Sequence, residues 1–388
     1  MTYLIKTGLL WDGVNDQALP GRVIVVEKER IKAIGHIDEM AAIHHEKILD
    51  WSGFTIIPGL IDCHTHLSMD PKLENYLDRV SDPVAELTIR AIVMMRKDLA
   101  AGVTTCRCCG DREFLDVACK QALIEGLVEG PRLLIAARGI RAAKGQGFMG
   151  YPFEGPEQMR TAVRENIDSG ADFIKFYITG TLKGEGSIPS FLSREEIRII
   201  IEESHRAGVR TAAHCVGGIG LDWALELGLD SLEHGYHISD VQLDGLSKSN
   251  TCMVLTPSPI LTESRVMHLP PDLIPGHLEE RDMIAGRMSA FLATGLPFAV
   301  GTDGMHGELA RELAYVVQLG GSPLQALRAA TIQGAKVCAI EGDTGSLETG
   351  KFADIVAVKG NPLEDIGAMA RVVHVIKGGQ LVYSGEVV

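Results

Sequence analysis

Ile56-Ile57-Pro58-Gly59-Leu60-Ile61-Asp62-Cys63-His64-Thr65-His66-Leu67 is the stretch around which most of the chain can be read. Residues 56–61 form a short, apolar, β-branched run, the composition of a strand buried on both faces. Behind it stand His64 and His66, spaced i, i+2. Alternate residues of an extended backbone point to one side, so both imidazoles can reach a single metal ion. Two histidines make half of a metal site, and the rest of the chain has to supply the remainder.

Outward from that stretch the chain has two textures. Short strand-like runs punctuated by Gly and Asp occupy 4–10, 22–26 and 31–35, and the same texture returns at 353–358, 372–376 and 380–383. Residues 1–55 plus 345–388 are therefore expected to combine into one small β-sandwich domain. Residues 56–344 alternate instead. Apolar runs at 56–61, 103–106, 132–136, 172–176, 210–213, 231–233, 252–255 and 298–301 are separated by helical patterns such as 84–101, 112–129, 156–169 and 194–207. Ala-Gly-Val at 101–103 and 207–209 and Leu-Gly-Leu at 227–229 place Gly at a helix stop before the next strand. Eight such strands fit a (β/α)8 TIM barrel better than an open doubly wound sheet. No Gly-x-Gly-x-x-Gly follows the first strand, which argues against dinucleotide binding. The expected fold is α/β, a TIM barrel with a small β-sandwich domain built from the two terminal segments.

At 388 residues the chain exceeds the usual single-core limit of about 250–300 residues, in keeping with one large and one small domain. A formal net charge of −14 argues against nucleic acid or an anionic membrane as partner. Met1-Thr2-Tyr3-Leu4-Ile5-Lys6 lacks a signal-peptide pattern, and no apolar run is long enough to span a bilayer. The eight cysteines form neither a zinc-ribbon nor a small-disulfide framework. The expectation is a cytoplasmic protein with reduced thiols and a small-molecule substrate.

In such a barrel the chemistry gathers at the C-terminal ends of the strands. Strand one ends in His64 and His66, strand four carries Lys175, strand five ends in His214, strand six in His234, and strand eight in Asp303. Taken singly, a histidine at a strand end is an ordinary satisfied polar residue, and Thr302-Asp303-Gly304 is an ordinary turn. An ammonium inside the apolar run around Lys175 needs a partner or a change of charge. Four imidazoles, a lysine and a carboxylate on one rim point together to a metal centre.

These residues carry a resemblance to the amidohydrolase superfamily over nearly the whole chain. Pro-Gly-Leu-Ile-Asp-Cys-His-Thr-His at 58–66 resembles its HxH strand, and Ala-Gly-Val-Thr-Thr at 101–105 its second strand. Gly345-Ser346-Leu347-Glu348-Thr349-Gly350-Lys351-Phe352-Ala353-Asp354-Ile355-Val356 resembles the signature that returns the chain to the small β domain. Within the superfamily the chain is most similar to the branch of Xaa-Pro dipeptidases (prolidases), related carboxypeptidases and imidazolonepropionase-like hydrolases. The resemblance implies two divalent cations, with zinc the favoured ion, and carboxylation of Lys175 by CO2 to bridge them. It assigns His64, His66 and Asp303 to the inner metal, and His214 and His234 to the second. A water between the cations is the implied nucleophile, with Asp303 taking its proton and passing it to the leaving amine. The implied activity is hydrolysis of an amide or peptide C–N bond in a small polar substrate, dipeptidase-like or N-acyl-amino-acid-hydrolase-like, by a homo-oligomer. Cyclic-amide hydrolysis and deamination are the enzymatic alternatives, and a metal-free scaffold is the non-enzymatic one. Single-metal deaminases of the superfamily generally lack the strand-four lysine, and scaffolds lose ligands first.

The chain departs from the prolidase pattern on the substrate side. Prolidase-like members carry His-x-Tyr at the end of strand five, where this chain has His214-Cys215-Val216. They carry Gly-Gly-His-Gly after strand three, where it has Lys144-Gly145-Gln146-Gly147. Gln146, Tyr151, Tyr177, Tyr236, His237 and His306 are the candidates for substrate contacts, and Lys144, Arg138 and Arg141 those for a substrate carboxylate. Cys106-Arg107-Cys108-Cys109 offers three thiols without a fourth ligand at standard spacing. It reads as polarisable side chains lining or backing the pocket, with a redox or disulfide role open.

Overall fold

A computed structural model describes residues 2–40, 43–145, 147, 149–182 and 186–385. Eight parallel strands run through the middle of the chain: β1 (Leu60–Thr65), β2 (Val103–Cys108), β3 (Arg132–Ile135), β4 (Phe173–Tyr177), β5 (Arg210–Cys215), β6 (Ser231–His234), β7 (Cys252–Leu255) and β8 (Phe298–Val300). β1–β3 form one parallel sheet and β4–β8 another, the second extended beyond β4 by Gly139–Ala142 and Gly150–Phe153. The two sheets touch at both edges. Asp172 N–H donates to Ile135 O at 2.8 Å between β3 and β4, and Asp303 N–H donates to His64 O at 2.7 Å between β8 and β1. The fold is thus mixed α/β around parallel strands.

Parallel strands this apolar need cover on both faces. Helices Val84–Ala100, Leu115–Ile124, Gly155–Asp168 and Arg194–Arg206 stand where the sequence period placed them, their ends trimmed by a few residues. Ser193 with Glu196, and Ser239 with Gln242, close capping boxes that start Arg194–Arg206 and Asp240–Ser247. Among the described residues no helix is long and apolar enough to cross a membrane.

The run 56–61, expected to be one strand, is divided. Lys47–Pro58 belongs to a different sheet, pairing parallel with Thr2–Leu10 and antiparallel with Ile355–Val358. Gly59 makes the change of sheet. Its N–H donates to Asp354 O at 2.8 Å, and a Cβ there would lie 2.2 Å from Thr104 Oγ1, so only glycine fits. The N- and C-terminal segments share this third sheet: Arg22–Glu27, Arg30–His36, Val372–Lys377 and Gln380–Ser384 complete it, with the two-residue strand Leu19–Pro20 at one side. Asp354 ties it to the parallel strands, accepting from Arg132 Nη1 at 2.9 Å and Gly378 N at 2.8 Å.

Gly301 sets how closely β8 approaches β1, since an added Cβ would come 2.4 Å from His64 Cβ and 2.5 Å from His64 N. Gly301→Ala is expected to destabilise the protein by at least about 2 kcal/mol, because the clash is with backbone and cannot be relieved by a rotamer change. Gly286→Ala, in the exposed interior of Ile274–Ala293 with nothing within 4 Å of the new Cβ, is expected to stabilise by about 0.5–1 kcal/mol. Denaturant titration of the two variants against the parent measures both.

Candidate metal centre

The ends of the strands bring the expected ligands together. His64 lies near the end of β1, His66 one residue past it, His214 in β5, His234 at the end of β6, and Asp303 three residues after β8. His234 and Asp303 hold left-handed backbone angles, φ 74° and 48°, each followed by a glycine that is also positive in φ. That strained turn swings both side chains inward over the strand ends. His64 Nε2 and His66 Nε2 each lie 3.6 Å from Asp303 Oδ1. Lys175 Nζ is 3.3 Å from His64 Nε2, and the His214 and His234 rings are 4.5 Å apart.

Behind each imidazole stands a partner that fixes which nitrogen faces the centre. Nδ1 of His64 bonds Glu233 Oε2 at 2.7 Å, that of His66 bonds Gly110 O at 2.7 Å, and that of His234 bonds Thr256 Oγ1 at 2.6 Å. Nε2 is thereby left for the centre in all three. His214 is reversed, with Nε2 3.3 Å from Gly180 O and Nδ1 left over. Burial pushes all four imidazoles below the ordinary histidine range, His214 to about 4, with the Lys175 charge adding to the effect at His64 and His214. They are neutral at physiological pH, the form that donates to a metal.

A further layer holds these partners. Glu233 accepts from Arg107 Nη1 at 3.0 Å and Ser231 Oγ at 2.8 Å, and the guanidinium lies 4.3 Å from the centroid of the Phe173 ring. Arg265, from the long connection between β7 and β8, donates to Asp303 Oδ2 at 3.0 Å and to Asp303 O at 2.7 Å. One carboxylate oxygen of Asp303 is thus taken, and the other is turned to His64 and His66.

The donor set fits a divalent cation. Ligand atoms of His64, His66 and Asp303 all lie within 4.8 Å of one another. Lys175 is wholly buried, and among the described residues no carboxylate lies within 4.0 Å of its Nζ. An ammonium in that position is costly, and a bound anion or a chemical change to one removes the cost. His64, Cys109 and Glu233 also lie close enough to share an ion. Glu233 is already committed to Arg107 and His64, and burial pushes the Cys109 thiol up to about 12, so that trio serves as packing and ion pair.

Residues 55–382 match the model of the amidohydrolase family. The chain belongs to that family. It is 28% identical to an ochratoxinase of Aspergillus niger, over 97% of this chain and 86% of the relative. It is 26% identical to an imidazolonepropionase of Symbiobacterium thermophilum, over 94% of this chain and 90% of the relative. The solved structure of a Xaa-Pro dipeptidase with bound methionine superposes with a TM-score of 0.87 at 28% identity, covering 99% of this chain and all of the other. As an amidohydrolase the protein is a hydrolase acting on C–N bonds.

Above the centre of this amidohydrolase is a cavity of about 530 Å³, lined by Tyr177 and Tyr236 among the expected residues. The other expected contacts lie elsewhere. Tyr151 sits on the outer surface, bonded to Glu113 and packed on Arg138. His237 faces Glu280, with Nε2 2.7 Å from Oε2. His306 is buried between Asp98 Oδ2 at 2.7 Å and His66 O at 3.0 Å, beneath the centre and absent from the cavity wall. Gln146 lies outside the described residues. Arg141 is spent on the carbonyls of Ala142, Ala143, Gly145 and Gly150, Arg138 pairs with Glu165, and Lys144 is exposed. Among the described residues the guanidinium or ammonium that lines the cavity is Arg265, which sequence reasoning missed. Cys106, Cys108 and Cys109 are buried, unpaired by disulfide and absent from the cavity wall.

Glu233→Gln keeps the shape but weakens the hold on the His64 tautomer. Its metal dissociation constant is expected to rise about 10–100-fold, read by chelator competition. His306 gives a pH signature. Burial opposes its charge, but the Asp98 carboxylate and the two hydrogen bonds that the imidazolium donates, to Asp98 and to His66 O, outweigh burial and raise it from 6.5 to about 9. A raised folded value stabilises below pH 6.5 and loses that contribution as pH rises through about 9. Metal-free parent is expected to lose roughly 3 kcal/mol between those limits in denaturant titrations, and His306→Gln to lack that slope.

Proposed function

We propose that the protein is a binuclear metal-dependent hydrolase that cleaves the amide of a small N-acyl amino acid or dipeptide, in a closed (β/α)8 barrel with a small β-sandwich beside it. The observation that carries this reading is the wholly buried Lys175 among four neutral imidazoles and Asp303. Carboxylation of Lys175 turns that cation into a bidentate anion. His64, His66 and Asp303 would hold one cation and His214 and His234 the other, with the modified Lys175 available to both. Zinc suits this nitrogen and oxygen donor set. Two cations held there lower the pKa of a bound water and polarise a carbonyl.

The chain's own groups do the rest. Asp303, with one oxygen anchored by Arg265, accepts the proton of the attacking water at its other oxygen. The C–O bond forms, the C–N bond breaks, and Asp303 returns the proton to the departing nitrogen. The apolar wall of the cavity, including Met69, Leu77, Phe191 and Leu269, suits an apolar side chain, and the Nη2 N–H of Arg265 that is not given to Asp303 suits a carboxylate. Similarity to a Xaa-Pro dipeptidase supports peptide substrates. Similarity to imidazolonepropionase supports a second reading, opening of a cyclic amide.

Zinc-loaded protein assayed against N-acyl amino acids, dipeptides, cyclic amides and aminated heterocycles is expected to cleave the first two classes. It is also expected to prefer N-acyl-phenylalanine over its carboxamide by about 100-fold, a carboxylate–guanidinium contact being worth a few kcal/mol. Ring opening alone selects the second reading, and ammonia release alone rejects both. Lys175→Ala is expected to retain almost no metal by mass spectrometry after gel filtration; two retained cations in that variant reject the binuclear assignment.

A further inference from the structure

Tyr177 holds a hydroxyl that pairs with none of the described residues. It is the last residue of β4, two past Lys175, so the two side chains rise on the same side of the strand. Lys175 Nζ lies 5.3 Å from the centroid of its ring, and the His214 ring centroid is 5.5 Å away. The residue lines the cavity together with His66, His214, His234 and Asp303. Its own exposure is 4%, and its hydroxyl has no hydrogen-bond partner among the described residues.

The ring is clasped so that it cannot turn away. Gly139, Gly147 and Gly150 pack on it, and a Cβ added at these positions would approach ring atoms to 2.7, 2.7 and 2.9 Å. Three glycines from the excursion between β3 and β4 therefore mould a slot for one aromatic side chain. A buried hydroxyl left without a partner costs about 1–3 kcal/mol, and the same ring without the oxygen would avoid that cost. A phenol keeps its proton at neutral pH, so this group is a ready donor for an acceptor that comes within hydrogen-bond reach of its oxygen from the cavity the residue lines. Such a fixed, unsatisfied donor is what an oxyanion needs, because no reorganisation is required when the charge develops.

We propose that Tyr177 is a catalytic residue whose phenol O–H donates a hydrogen bond to the carbonyl oxygen of the scissile amide as it gains negative charge. The π electrons of the carbonyl move onto that oxygen when water adds to carbon. The phenol keeps its proton throughout, and the electrons return when the C–N bond breaks. The assignment rests on the amide-hydrolase reading above and adds a residue to it.

Tyr177→Phe in zinc-loaded protein tests it. Metal content is expected to match the parent and the melting temperature to be equal or higher, because no intramolecular bond is lost. Inorganic phosphate, a tetrahedral oxyanion, is expected to bind the parent and to bind the variant at least about 10-fold more weakly by calorimetry. On any amide that the parent cleaves, kcat is expected to fall about 100–1,000-fold with KM changed less than about threefold. Phosphate affinity unaltered by the substitution, no phosphate binding by the parent, or kcat within twofold of the parent each overturns the role. A parent that cleaves no amide defeats the hydrolase reading instead, while the phosphate titration still decides whether Tyr177 faces an oxyanion.

Discussion

Lys175 Nζ is buried 3.3 Å from His64 Nε2, with neutral imidazoles around it, and the surrounding architecture is arranged around that charge. A core would ordinarily expel a lysine here. It is retained because β4 lies in the interior of a parallel sheet, with Ile174 and Phe176 packing outward and Lys175 and Tyr177 facing the strand ends. The alternation that makes the strand also makes the site. Moving the register by one residue would bury the same lysine among helices, where no ligand set waits for it.

The charges fall into two layers. Facing the cavity are groups kept neutral or held in a single orientation: four imidazoles, the phenol of Tyr177 and one oxygen of Asp303. Buried ion pairs hold them, Arg107 with Glu233 and His306 with Asp98 from behind, and Arg265 with Asp303 from the cavity side. Buried pairs seldom add much net stability, and apolar replacements often do as well. Their use here is positional. Each fixes the tautomer or angle of a group that faces the cavity, and each ties together elements distant in sequence, such as β2 with β6 and helix Val84–Ala100 with the loop after β8. Asp62 plays the same part without an ion pair, accepting from Thr302 Oγ1 at 2.6 Å and from Thr302 N at 3.1 Å, which holds β8 against β1.

What could be read from the sequence is what lies on regular elements. Histidines at strand ends, an ammonium in an apolar run and glycine at helix stops all announce themselves by local spacing, and the structure brings those ligands together. The division of 56–61 was hidden because an apolar β-branched run looks the same in either sheet; only Pro58-Gly59 marked the break. Glu233 carried a signal, a charged residue in a buried four-residue strand, and so did Arg107 between cysteines. Arg265 carried none. It lies 38 positions before Asp303 in an irregular connection, and only tertiary packing sets its role. His306 misled in the opposite sense: closeness to Asp303 in sequence suggested the cavity, while Asp98 on a distant helix draws it inside.

The substrate end of the cavity is built on different terms from the metal end. Met69 and Tyr76 from the connection after β1 pack against Val266 and Leu269 from the connection after β7, and this cluster is separate from the main core. Two further bonds join those connections, Asn75 N to His268 O at 3.0 Å and His268 Nδ1 to Pro71 O at 3.2 Å. A small independent cluster opens at less cost than the core it sits on. The roof can therefore vary in sequence or shift without disturbing the candidate ligands fixed by β1, β4, β5, β6 and β8. Arg265 is the exception, because it belongs to the roof yet grips Asp303. Any movement of the roof that carries Arg265 away also frees the second carboxylate oxygen of Asp303, so access to the cavity and the setting of Asp303 are mechanically joined through that one guanidinium.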